Sequence, residues 1–289
     1  MRKLRLVSAA ILLSATAARA DWTPIYAGTT LDALRTGSGQ SGVRFLPTPL
    51  VRQALNFTCG AAALQSLLEF YGEDFREGQL QQILHSDPKL GTSYQEMVKL
   101  VTELNDPVKN QQLHATLAPG EVPDAPSQPT VPVRPMAARA LTLSAPTDDF
   151  QVVVYPGKST TIRTDTPEAG VPVDGLTSLE LQQILDQGRP VIVLIQAWGN
   201  KTLDQYATDK DDGHYVVAVG YDAANFYFMD PSTAGNYTFI PRDEFLRRWH
   251  DVDSRLVDGH EVDEPVTHFG LVAYKAAPQF IFSGISKLE

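Results

Sequence analysis

Apolar positions in this 289-residue chain change their spacing several times. After Cys59, the residues Leu64, Leu67, Leu68 and Tyr71 recur at intervals of three and four, which lines one face of a helix, and Gly72 follows where such a helix stops. Thr58 is a suitable N-cap, so Cys59 falls in the first turn. Ser93 with Glu96 and Thr177 with Glu180 have the spacing of capping boxes and open two more helices. The second of these ends at Gly188-Arg189-Pro190, and the continuous apolar run Val191 to Ile195 then predicts a buried strand. Beyond it, Tyr215 to Tyr221 and Phe226 to Met229 are rich in β-branched and aromatic residues and are separated by the turn formers Asp222 to Asn225, which predicts a hairpin.

Two stretches interrupt this pattern. Between residues 115 and 175 lie half of the 20 prolines, and only Phe150 to Pro156 reads as strand, which predicts an insertion packed beside a cleft in one domain. At the amino terminus, Arg2, Lys3 and Arg5 precede an apolar stretch from Leu6 to Ala17 and an Ala-Arg-Ala end, the layout of a cleavable export signal. The expected organisation is a signal over 1–20, an extension over 21–45, a domain over 46–275 and a tail over 276–289. No apolar run reaches the roughly 20 residues of a membrane span. The expectation is an exported protein, periplasmic or extracellular. Loss of Arg2, Lys3, Arg5 and Arg19 with the signal would take the formal net charge from −10 to −14, which disfavours nucleic acid as a partner.

Exported proteins generally pair their cysteines, yet Cys59 is the only one. A helix's first turn stabilises a thiolate, and Gly60 with Ala61 to Ala63 leaves little bulk around the sulfur for an approaching substrate, so Cys59 is the candidate nucleophile. His214 opens the first strand of the predicted hairpin and Asp230 closes the second, which puts them at the same end as a base and the group that orients it. Gln53, six residues before the thiol, is a candidate oxyanion donor together with the Cys59 backbone N–H. The other histidines lie in helix ends, loops or tails. Asp209, Asp211 and Asp212 lack the glycine placement and the glutamate of a calcium loop and read as a solvated acidic loop. With no Cys/His cluster at ligand spacing, no metal or cofactor is expected.

Gln53, Cys59-Gly60 with its Ala/Leu helix, His214-Tyr215-Val216-Val217 and Asp230-Pro231, in that order, resemble the papain-like cysteine peptidases that process bacteriocins by cutting double-glycine leader peptides, and their standalone exported relatives. The resemblance extends to Leu90–Leu104, Leu176–Ile195 and Ile240–Asp251. It implies an α+β papain-like fold, with amino-terminal helices carrying the cysteine packed on an antiparallel sheet carrying histidine and aspartate. It assigns Cys59 as nucleophile, His214 as base, Asp230 as orienter and Gln53 as oxyanion donor. The implied partner is a peptide or protein substrate cut after small residues, especially Gly-Gly, with a secretion system as a further partner. Thr58 departs from the acidic residue the family often carries there, and no GxxxxGK[ST] motif follows, so a free-standing enzyme is expected. A degenerate peptide-binding accessory, and a papain-like acyltransferase or deamidase, are the alternative functions.

Overall fold

A computed structural model describes residues 44–115, 143–166, 168–232, 236–276 and 278–280. The expected signal, most of the expected extension, part of the expected insertion and most of the expected tail lie outside them. After one short strand come four helices: α1 (Cys59–Phe70), α2 (Glu77–Ile83), α3 (Tyr94–Glu103) and α4 (Pro107–Ala115). Helix α1 starts and stops as its sequence predicts, and the chain leaves it through Gly72 at φ 85°. It is buried along nearly its whole length, with Leu64, Leu67 and Leu68 fully enclosed. Its small residues let it sit close to its neighbours: a Cβ on Gly60 would lie 2.6 Å from Met97 Cε of α3.

The strands are β1 (Arg44–Phe45), β2 (Gln151–Tyr155), β3 (Ile162–Arg163), β4 (Val171–Pro172), β5 (Val191–Gln196), β6 (Gly213–Tyr221), β7 (Asn225–Asp230), β8 (Asn236–Pro241), β9 (His250–Val257), β10 (His260–Thr267) and β11 (Gly270–Tyr274). The main sheet runs in the order β2-β11-β5-β6-β7-β8, antiparallel throughout, and β1 pairs with β6. Strand β5 is buried at every position, as a continuous apolar run requires. Close approach of β1 to β6 depends on Gly220, where a Cβ would lie 2.4 Å from the Arg44 carbonyl oxygen. Helix α5 (Ser178–Asp186) carries the Thr177–Glu180 capping box on the approach to β5. Helix α6 (Leu203–Thr208) follows β5, and α7 (Arg242–Arg248) follows β8. The β9–β10 pair and the β3–β4 pair form separate two-stranded sheets.

The expected insertion at 115–175 is not one unit. Residues 116–142 lie outside the described residues, whereas Gln151–Tyr155 is the edge strand of the main sheet, paired residue for residue with β11. Arg163, also within that stretch, is buried and donates to Glu180 of the α5 capping box at 2.5 Å and to the Val173 carbonyl at 2.9 Å. Its second half therefore supplies structure to the domain. Prolines and short strands concealed this, because β2 gains its regularity only by pairing with a strand more than a hundred residues later.

Candidate active site

The β6–β7 hairpin brings two of the expected residues together. His214 Nε2 and Asp230 Oδ1 lie 2.9 Å apart at the open end of the hairpin. Asp230 Oδ1 also accepts from the Ser232 backbone N–H at 2.9 Å and its hydroxyl at 2.7 Å. This Asx turn through Pro231 fixes the carboxylate that fixes the imidazole. With Nε2 engaged by Asp230, Nδ1 is the ring nitrogen left for the Cys59 thiol, whose charge and hydrogen bonding act on the imidazole.

Cys59 is the first residue of α1, and α1 packs on β6, the strand that carries His214. Cys59 is 9% exposed and His214 is 2% exposed, so both are recessed beneath the surface. Burial raises the thiol's pKa, but hydrogen bonding and charge from His214, with backbone N–H groups of Tyr215 and Gly60, outweigh it and leave the thiol below its ordinary value. Burial works against the imidazolium too. Hydrogen bonds and charge from Asp230 and Cys59 prevail there and lift His214 to about 9. Both shifts favour the thiolate–imidazolium pair over the neutral thiol and imidazole.

Gln53 is strapped to the same end of the sheet, its backbone N–H donating to the Pro231 carbonyl at 3.0 Å. Its side-chain Nε2 donates one hydrogen to the Leu55 carbonyl at 2.8 Å, which anchors the amide. A carboxylate 23 residues away ties down the loop between Gln53 and Cys59: Glu77 accepts from the Ala54 N–H at 2.7 and 2.8 Å and from the Thr58 hydroxyl. Thr58 precedes α1 as expected, but its side chain does not cap the helix; it is engaged by Leu55 and Glu77. An acidic group thus reaches the residue before the thiol from α2.

A cleft of about 460 Å³ opens beside these residues, lined by Arg52, Gln53, Ala54, Leu55, Asn56, Trp198 and Ser232. The small residues after the thiol do not line it. Ala61, Ala62 and Ala63 are fully buried and Gly60 abuts Met97 and Thr92 of the α3 region, so their size serves packing and not substrate approach. The indole of Trp198 lies against the His214 ring, centroids 5.0 Å apart at 42°, and screens it from solvent while staying 44% exposed itself.

Behind His214, a Cβ on Gly213 would lie 1.8 Å from Asp251 Oδ2. Buried Gln196 donates to Asp251 at 2.8 Å and accepts from the Asp212 N–H at 3.1 Å. Burial raises Asp251 to about 7 and Asp253, which accepts from the Tyr94 N–H and Ser93 hydroxyl, to about 6. In the acidic loop, Lys201 pairs with both Asp209 and Asp212. Among the described residues no group of three or more His, Cys, Asp or Glu is placed to hold a metal, and no helix is long and apolar enough to cross a membrane.

Ser232, Trp198 and Glu77 join the four expected residues. Only Ser232 had a signal, the turn-forming Asp-Pro-Ser run. Nothing local marks Trp198 or Glu77, because their partners come from other elements.

Amino-terminal helices that begin with the cysteine, packed on an antiparallel sheet that carries the histidine and the aspartate, form the α+β layout of the papain-like fold. Residues 163–256 match the sequence profile of the Peptidase_C39 like family, a stretch that includes His214 and Asp230 but begins well after Gln53 and Cys59. No curated protein matches the chain. Among solved structures it is similar to the peptidase domain of Streptococcus ComA, a bi-functional ABC transporter involved in quorum sensing, at 15% identity over 78% of this chain and 98% of that one, with a TM-score of 0.42. It is also similar to a double glycine motif protease from an AMS/PCAT transporter in complex with the leader peptide, at 13% identity over 80% and 93%, with a TM-score of 0.40. A C39-like peptidase from Bacillus anthracis aligns at 14% identity over 82% and 98%, with a TM-score of 0.44.

Proposed function

We propose that this chain is an exported cysteine peptidase that cuts a peptide or protein after small residues such as Gly-Gly, through a Cys59 thioester. The observation that carries the reading is the His214–Asp230 pair, with Ser232 holding the aspartate, on the strand against which the helix that begins at Cys59 packs, beside a cleft that includes Gln53. The Cys59 thiolate attacks the scissile carbonyl carbon, and the oxyanion that forms takes hydrogen bonds from the free Gln53 N–H and the Cys59 backbone N–H. Collapse breaks the C–N bond, and imidazolium Nδ1–H delivers its proton to the leaving amine. Water then attacks the thioester while His214 removes a proton, and the acid product departs with the thiolate restored.

A preference for small residues is supported by the recessed thiol: with Cys59 at 9% exposure, a slim backbone reaches the sulfur more readily than a branched side chain. Secretion of the substrate, and of the enzyme, accords with the signal-like Met1–Ala20. Screening a position-scored peptide library, with Cys59→Ala as blank, tests the reading. Cleavage concentrated after Gly or Ala is expected. Cleavage after bulky or charged residues at equal rates would refute the specificity. No cleavage, with Cys59 still alkylated by iodoacetamide, would favour a peptide-binding role. Mass measurement of the exported protein checks the expected removal of residues 1–20, which an intact amino terminus would overturn.

A further inference from the structure

We propose that Trp198 and Leu55 form the subsite for the residue immediately after the scissile bond, and that this subsite takes an apolar side chain; the assignment rests on the peptidase reading above. Chemistry fixes which side of the substrate lies there. The leaving nitrogen must sit beside the group that protonates it, so the residue bearing that nitrogen lies next to the imidazole of His214. The side chain covering that imidazole is Trp198, whose ring centroid is 5.0 Å from the histidine's. Trp198 follows β5, and the pairing of Ile195 with His214 brings the end of that strand beside the histidine.

The indole is 44% exposed and forms part of the cleft wall, although a tryptophan attached to the end of a buried strand has core within reach. Leu55 lines the same cleft and is also 44% exposed. Two large apolar side chains left open to water in one small cleft beside the reacting atoms are suited to covering a third. Leu55 is held there by the same loop that carries Gln53, whose amide donates to the Leu55 carbonyl at 2.8 Å. The apolar subsite is thereby fixed relative to the oxyanion donor. Arg52, Asn56 and Ser232 complete the cleft with polar groups, and no carboxylate lines it. A lysine or arginine after the scissile bond would find no carboxylate partner in the lining.

The test uses the full chain with Cys59→Ala, so that peptides bind without being cut. Labelled peptides with the core Gly-Gly-X-Ala are titrated by fluorescence anisotropy, with X as Leu, Gly or Lys. Burying the leucine side chain against Trp198 and Leu55 is expected to make X = Leu bind about tenfold tighter than X = Gly. Adding Trp198→Ala should collapse that ratio below about twofold, and Trp198→Phe should keep most of it. An unchanged ratio in the alanine variant, equal binding of Leu and Gly in the parent, or no binding by any peptide would overturn the assignment. Parallel cleavage assays with Cys59 intact separate the two readings. Cleavage indifferent to X removes the subsite and leaves the peptidase standing; a Trp198-dependent binding preference without cleavage does the reverse.

Discussion

Replacing Asp230 by asparagine removes one charge from the site while leaving an oxygen that can still accept from His214 Nε2 and from Ser232. In the parent, burial alone would push the His214 pKa below 6.5, and the Asp230 hydrogen bond is the foremost of the contacts that raise it to about 9. The span from 6.5 to about 9 corresponds to roughly 3 kcal/mol, at about 1.4 kcal/mol per unit, shared between Asp230 and the Cys59 thiolate. Losing half of it would bring the histidine down by on the order of one unit. The parent's kcat/KM should therefore decline as pH rises through about 9, where the imidazolium loses the proton it gives to the leaving amine. In Asp230→Asn that decline should begin on the order of one unit lower, so that at a pH midway between the two limbs activity falls several-fold. Stability follows the same sign. A histidine whose folded pKa is raised contributes stability in full below 6.5 and loses it as pH rises through about 9, so the melting-temperature gap between parent and variant should be wider at mildly acidic than at alkaline pH. Peptide kinetics and iodoacetamide alkylation, both followed across the pH range, check this, the second without any substrate. A descending limb that stays at the parental pH in Asp230→Asn would refute the claim that the aspartate holds the imidazolium.

Cys59→Ala and His214→Ala should each lose nearly all turnover, with the double variant little worse, because thiolate and imidazolium act as one unit; additive losses in steady-state assays would contradict this. Gln53→Ala should cut kcat by on the order of 10² to 10³ while iodoacetamide alkylates Cys59 at the parental rate, since the amide serves the oxyanion and not the thiolate. Glu77→Gln keeps an acceptor for the Ala54 N–H but loses the charge that receives it and Thr58; kcat should fall by about tenfold with KM little changed. A change confined to melting temperature would instead make Glu77 a fold residue only. Asp251 has a folded pKa raised by burial to about 7, so its charge opposes folding at pH values above that and is absent in acid. Asp251→Asn should accordingly raise the melting temperature more at pH above about 8 than at pH near 4, and thermal melts at the two pH values would expose the opposite trend.

Much of the site was legible along the chain because each part is local. The three-and-four spacing after Cys59 makes α1 and places the cysteine in its first turn. The β-branched runs around Asp222 make the hairpin, whose open end carries both His214 and Asp230, and their side chains meet there at 2.9 Å. What depended on tertiary contact was hidden. The small residues Gly60 to Ala63 are small because α1 must lie close to α3 and β6, a constraint that has the same composition as an open substrate path. Phe150 to Pro156 reads as a strand, but its place at the edge of the main sheet is set by the distant β11. Glu77 and Trp198 gain their roles from partners on other elements, which helix propensity and hydrophobic period do not encode. Local sequence thus determined which groups are candidates for the chemistry. Packing decided how deeply the thiol is recessed, what ties the Gln53 loop down and which aromatic side chain covers His214, since these depend on distances between segments and not on spacing within one.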